Sequence, residues 1–235
     1  MIKKLGAPIK RNNLYEIVAN EIEDIIINNP DMQGEQLPSE QEIADSYDVS
    51  RNVVREALKI LRERGLIVLK NGEGVFVEFN QNKIISRTIG RMIQLEKLSY
   101  NDIYSVRESL EILSCRLAAA HITKDEVSLL YSCCEKMKMN MQNSQKWAAY
   151  DLDFHLTIAK ITRNELLYNM IKPLTPSFIE LFLRASLVPD NCSVGLADHQ
   201  AIVEALKEGD AEKAGNTMKR HLANSLDNLL QLHPE

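Results

Sequence analysis

The sequence has no run of 18 or more apolar residues, which excludes an ordinary membrane-spanning helix. Its first residues, MIKKLGAPIKRNN, lack the apolar core of a secretory signal, so the chain is expected in the cytoplasm with no membrane partner. Cysteine is scarce and unpatterned. Cys115, Cys133, Cys134 and Cys192 show no CxxC or zinc-ribbon spacing, and in a reducing compartment they read as free thiols. There is no excess of positive charge: 28 Lys and Arg stand against 33 Asp and Glu, a formal net charge of -5. A generic polyanion binder, basic over its whole surface, is thereby disfavoured. Internal repeats and low-complexity segments are also missing. What remains is 235 residues, 45% of them hydrophobic, enough for two packed domains of ordinary size.

The stretch from Leu37 to Val77 is dense in local signals. Ser39 suits an N-cap whose partner in a capping box is Glu42, three residues on, predicting a helix from Glu40 to Tyr47. Asp48-Val49 makes a turn, and Ser50 caps a second helix from Arg51. Val54, Ala57, Leu58 and Leu61 recur at helical spacing and form its buried stripe. Its first turn and free stripe carry Ser50, Arg51, Asn52 and Arg55. From Arg51 to Lys70 six basic residues face only Glu56 and Glu63, so the field there is locally positive although residues 1–80 are net acidic. Gly65 ends the helix, and Leu66–Leu69 is expected to pair with Val75–Val77 across a glycine-rich tip, Asn71-Gly72-Glu73-Gly74. Two helices, a tight turn and a hairpin predict a winged helix-turn-helix that places its second helix in the major groove. Upstream, Leu14–Asn28 reads as a helix with Tyr15, Val18, Ile22 and Ile25 on one face, stopped by Pro30.

In combination, LPSE, VSR, VREAL, Gly-Leu-Ile and a G-x-G-x-F-V wing resemble the DNA-binding domain of the GntR family of bacterial transcription regulators. That resemblance implies contacts with double-stranded operator DNA for Gln41, Ser50, Arg51, Asn52, Arg55 and Gly72. Many members carry a basic residue where this chain has Gln41 and Glu73, so the operator sequence does not follow from the likeness.

Beyond a short polar joint at residues 78–81 the strand character ends, and Lys83 to Leu232 reads as six or seven helices in an antiparallel bundle. Thr123 with Glu126 forms another capping box, Gly209 ends a helix, and a further break spans residues 188–193. Pro173 and Pro176 are expected to kink one apolar helix. The predicted fold is mainly α: a winged helix-turn-helix in residues 1–79 and an all-α bundle in residues 80–235.

Asp151 and His155, four apart, project about 40° from one another on one helical face, as two metal ligands can. His199 and His221 lie on the last two predicted helices, from which a bundle can bring them to that face. A lone histidine on such a helix is more often a core residue, so spacing leaves both readings open. Residues 83–232 also resemble the FCD ligand-binding domain of FadR-type GntR regulators. Many of these carry Asp-x3-His plus two later histidines as a metal site, matched here by Asp151, His155, His199 and His221. The implied cofactor is a divalent transition ion, Zn, Ni or Mn, with open positions for a small carboxylate effector. The same resemblance points to Arg107 as the effector's guanidinium clamp, against an ordinary pair with Glu111 at i,i+4.

The expected protein is a homodimeric, effector-controlled regulator, its two domains coupled through the joint at residues 79–82. One rival is a metal-dependent enzyme acting on a small acid, disfavoured by four protein ligands and the lack of an HExxH segment. Another is a dimer module stiffened by metal.

Overall fold

A computed structural model describes residues 13–79, 81–176, 179, 183 and 191–232. The chain forms two compact units that divide between Ile84 and Ile85.

In the first unit, α1 (Leu14–Asn28) buries Val18, Ala19, Ile22 and Ile26, an i,i+4 ridge that packs on α3. Tyr15 packs at the edge of this core, but Ile25 is 47% exposed. The sequence assignment of Ile25 to the buried face is therefore corrected by one residue. A 3.6-residue period permits either i+3 or i+4 after Ile22, and the packing against α3 selects Ile26. Pro30 opens a 3-10 turn (Pro30–Met32).

Helix α2 (Glu40–Tyr47) starts at the expected capping box: Ser39 Oγ accepts from Glu42 N, and Glu42 Oε2 accepts from Ser39 N. It ends on Asp48, held at φ 50°, and Ser50 then caps α3 (Arg51–Glu63) by accepting from Val53 N. Val54, Ala57, Leu58 and Leu61 form the buried stripe of α3. Each large side chain there contributes about 1.5–3 kcal/mol by leaving water. Gly65 stops the helix at φ +74°, where any Cβ would be strained.

Strands β1 (Ile67–Lys70) and β2 (Gly74–Val77) pair antiparallel, with Ile67 opposite Val77 and Lys70 opposite Gly74. Leu66, read as a strand residue, lies just before β1: its N closes the helix end on Leu61 O, while its carbonyl accepts from Glu78 N beyond β2. The other edge of β2 is covered by residues 34–37. Gly34 N donates to Val77 O, Val77 N to Glu35 O, and Leu37 N to Val75 O. That third edge was not read from the sequence.

The second unit is helical. α4 (Gln81–Leu95) leads into α5 (Tyr100–Ala119), α6 (Lys124–Met139) and α7 (Ser144–Ile161). Then come α8 (Glu165–Ile171), α9 (Asn191–Lys207) and α10 (Ala211–Leu232), giving seven α-helices after the wing among the described residues. Ser99 with Asp102 and Thr123 with Glu126 are complete capping boxes, and Asn143 and Asn164 cap α7 and α8. The distortion expected around Pro173 and Pro176 takes the form of a 3-10 interruption. α8 stops at Ile171 and tightens into a 3-10 turn (Lys172–Leu174) that buries Pro173, before residues 175 and 176 resume helical structure. A proline interior to a helix lacks an N–H and clashes with the preceding turn, so the winding tightens to 3-10 at Pro173 while Ile171, Lys172 and Thr175 keep helical dihedrals. Of the break read over residues 188–193, residues 188–190 lie outside the described residues, and Asn191, Cys192 and Ser193 already belong to the helix Asn191–Lys207.

α10 packs along α5 and α9, and α6 and α5 pack on α7. Their core contains Cys115, Leu130, Trp147, Phe154, Ile202 and Met218. All four cysteines are free. No helix among the described residues is long and apolar enough to cross a membrane.

Candidate metal centre and nucleic-acid interface

The first unit exposes the side chains read as DNA contacts. Gln41, Ser50, Arg51, Asn52, Arg55 and Gly72 are all exposed, and Gly72, at φ +79°, has open space where a Cβ would stand. Four of these side chains are already engaged, Ser50 as the cap of α3 and Gln41, Arg55 and Arg51 with carboxylates. Gln41 Nε2 donates to Asp45 Oδ1 at 2.7 Å. Arg55 donates to Glu40 through Nε at 3.3 Å and Nη2 at 2.9 Å, and Arg51 Nη2 lies 3.5 Å from the same carboxylate. Hydrogen bonding from Arg55 is the main reason that the Glu40 carboxyl is held below its ordinary range. Glu40 had no role in the sequence reading. At the wing, Gln36 Nε2 donates to the Glu73 carbonyl at 2.6 Å and steadies the tip.

The second unit gathers its polar residues in the interior. α7 contributes Asp151 and His155, α9 contributes His199, and α10 contributes His221. All four are buried, with one ligand atom from each lying within 4.8 Å of the others. His199 Nε2 lies 3.1 Å from Asp151 Oδ1 and 3.4 Å from His155 Nε2, and His155 Nε2 lies 3.7 Å from Asp151 Oδ1. Ligands bonded at about 2.1 Å to one ion are about 3.0–3.4 Å apart at cis or tetrahedral positions, so the donors are spaced for a common cation. Phe154 meets His199 edge-on, with ring centroids 4.6 Å apart, and the Trp147 ring lies 5.7 Å away, which fixes the His199 imidazole.

His155 is oriented from behind. Its Nδ1 makes a close ion-pair contact with Glu111 Oε2 on α5, leaving Nε2 directed toward Asp151 and His199. A carboxylate on the far nitrogen of a ligating histidine fixes the tautomer and raises ligand basicity. Glu111 in turn accepts from Arg107 Nε at 2.6 Å, within the interior. The i,i+4 pair offered by the sequence is therefore formed.

The charges in this cluster respond to both burial and neighbours. Burial alone would raise the Glu111 carboxyl, but Arg107 and His155 outweigh it and pull it down to about 2. Burial would lower His155, yet Glu111 and Asp151 raise it to about 9. Asp151 is held well below the usual carboxylate range because His155 and His199 overcome its burial. His221 moves the other way, well below an ordinary histidine, through burial and then its histidine neighbours. A compact set of one carboxylate and three imidazoles, one of them tending to neutrality, fits a borderline divalent ion by its donor chemistry.

Arg107 lines two small cavities beside this cluster. One, about 10 Å3, also touches Trp147, Asp151, His221 and Asn224. The other, also about 10 Å3, touches Glu111, His155 and Thr175. Each has room for about one water-sized occupant. Next to the first, Asp198 is held by Arg220 Nε and Nη2 at 3.2 and 3.0 Å and by Asn224 Nδ2 at 2.9 Å, and its Oδ2 lies 4.0 Å from His221 Nδ1. Asp198 and Glu111 were not assigned to the site from sequence, where the only local cue for Glu111 was its spacing from Arg107.

Comparison with known proteins agrees with both halves. Residues 14–77 match the model for bacterial regulatory proteins of the gntR family, and residues 102–224 match the FCD domain. The HTH-type transcriptional repressor NanR of Escherichia coli (strain K12) is 30% identical over 223 residues, covering 92% of this chain and 84% of that protein. The Uxu operon transcriptional regulator of the same strain is also 30% identical, over 227 residues covering 92% of this chain and 87% of its own length. Among solved structures, Streptococcus agalactiae GntR superposes with a TM-score of 0.71 at 22% identity, over 91% of this chain and 99% of that one, a likeness of fold. The chain belongs to the GntR family of bacterial regulatory proteins, in the group with an FCD domain, whose members are transcriptional regulators and not enzymes.

Proposed function

We propose that this regulator binds operator DNA as a homodimer in the cytoplasm and is controlled by a small carboxylate metabolite held beside a metal in its C-terminal half. Residues 1–79 form the reader, with Gln41, Ser50, Arg51, Asn52, Arg55 and Gly72 on the DNA. Residues 80–235 form the sensor and dimerise. The observation that carries this reading is the buried convergence of Asp151, His155, His199 and His221, with Glu111 behind His155.

These four side chains would hold a divalent transition ion, Zn, Ni or Mn, whose contribution when bound is open coordination positions for a carboxylate oxygen. Arg107 borders both adjoining cavities and supplies positive charge to the same anion while Glu111 fixes its position. Trp147 and Phe154 pack their rings against His199. An effector alters operator affinity only by binding the DNA-competent and incompetent arrangements unequally, typically by about 1–3 kcal/mol, and that difference must pass along the chain through residues 79–82.

The test is His199→Ala. The variant is expected to lose most of its bound metal by elemental analysis and to lose its effector response in gel shifts, while its metal-free form still binds the operator. Full metal occupancy in a His155/His199 double alanine variant would refute the ligand set.

A further inference from the structure

The carboxylate of Glu40 occupies a special place in the first unit. It stands at the first position of α2, and reaches two arginines that are four residues apart on the opening turns of α3. An isolated exposed ion pair contributes little, but a bidentate fork is geometrically restrictive, since it fixes the plane of the guanidinium. Here the fork uses one particular edge of Arg55. Nε and Nη2 both face Glu40, whereas Nη1 meets no partner among the described residues. The edge left over, formed by Nη1 and the second hydrogen of Nη2, presents two parallel donors. Guanine offers two acceptors, O6 and N7, with matching spacing in the major groove.

We propose that Glu40 is a positioning residue for base recognition, gripping the side edge of the Arg55 guanidinium so that its end-on edge is aimed at a guanine. This rests on the reading of α3 as the recognition helix. Glu40 also sets a balance of charge. One carboxylate faces both Arg51 and Arg55, so it reduces their pull on phosphates, which is indifferent to sequence, while sharpening the geometry of a contact that depends on sequence. Removing it therefore has two effects of opposite sign. The capping box of α2 belongs to Ser39 and Glu42, so substitution at Glu40 leaves the start of the helix in place.

The experiment uses the full chain. Selection from a randomised DNA duplex pool yields the preferred site of the wild type, and affinities are then measured for that site, for each single-base variant of it, and for the unselected pool. Arg55→Ala is expected to abolish the preference for one guanine per half-site. Glu40→Ala should reduce that same preference roughly tenfold while binding the unselected pool several-fold more tightly and with a steeper dependence on salt. Glu40→Gln, which keeps one acceptor, should change both quantities in the same directions but less.

An unchanged guanine preference in both Glu40 variants, with Arg55→Ala losing it, would overturn the positioning role and leave the recognition helix standing. Loss of binding to site and pool alike in both Glu40 variants would also overturn it. If Arg55→Ala leaves every base preference intact, or the wild type enriches no sequence, the recognition-helix reading fails and the role of Glu40 fails with it.

Discussion

The two units use the same kinds of side chain in opposite environments. In the reader, Glu40 faces Arg51 and Arg55 at the surface, with the arginine side chains 58% and 51% exposed. In the sensor, Glu111 faces Arg107 and His155, with each of these side chains at most 5% exposed. Water screens the first set, so its charges contribute little to folding and are free to exchange partners. The second set has no water to fall back on. Its members depend on one another, and their mutual pairing holds the arrangement in place. Exposed ion pairs suit rapid exchange of partners, whereas buried ones suit a fixed geometry.

The sharpest way to break that contrast is Glu111→Ala. It strands Arg107 in the interior and removes the carboxylate behind His155, and should destabilise the protein by about 3–5 kcal/mol in denaturant unfolding. The same variant should weaken metal binding by about 10–100-fold, measured by competition with a chelator.

A pH series separates the two regions next. His155 is raised from its ordinary 6.5 to about 9 in the metal-free protein. Its contribution to stability is therefore fully present below pH 6.5 and lost as the pH rises through 9. A metal must displace that proton, so metal affinity should rise by about tenfold per pH unit between 6.5 and 9. A flat calorimetric profile over that window would remove His155 from the ligand set. Ser39→Ala, which deletes a cap on the reader, should cost about 1 kcal/mol by thermal melting. Glu40→Ala should shift folding stability least, by under about 1 kcal/mol, despite its expected effect on base preference.

What the sequence made legible follows from the range of the interactions. The caps at Ser39 and Thr123 join residues three apart, so their signatures are local and both appear as read. Asp151 and His155 share one helical turn and could be paired by counting. His199 and His221 needed a tertiary arrangement, which resemblance to a family supplied and the packing of α7, α9 and α10 realises. Glu111 was visible as a neighbour of Arg107, but its contact with His155 spans 44 residues and depends on how α5 is rotated against α7. Glu40 meets Arg55 only because the turn at Asp48 sets the angle between α2 and α3. The Ile25 and Ile26 exchange has the same origin, since rotation about a helix axis is decided by the neighbour. Residues 34–37 left no sequence signal because their bonds to β2 are made by backbone atoms that every residue has.

That short third edge gives the wing a mechanical character. A two-stranded ribbon alone is marginal in water and would sway from its base. Here the root, around Val75 and Val77, is bonded on both sides, and the Gln36 side chain carries the bracing out to the Glu73 carbonyl beside Gly72. The wing is thus a lever clamped at its root and tethered again near its tip, so a force at the tip is carried back to residues 34–37 and is not borne by the hairpin alone.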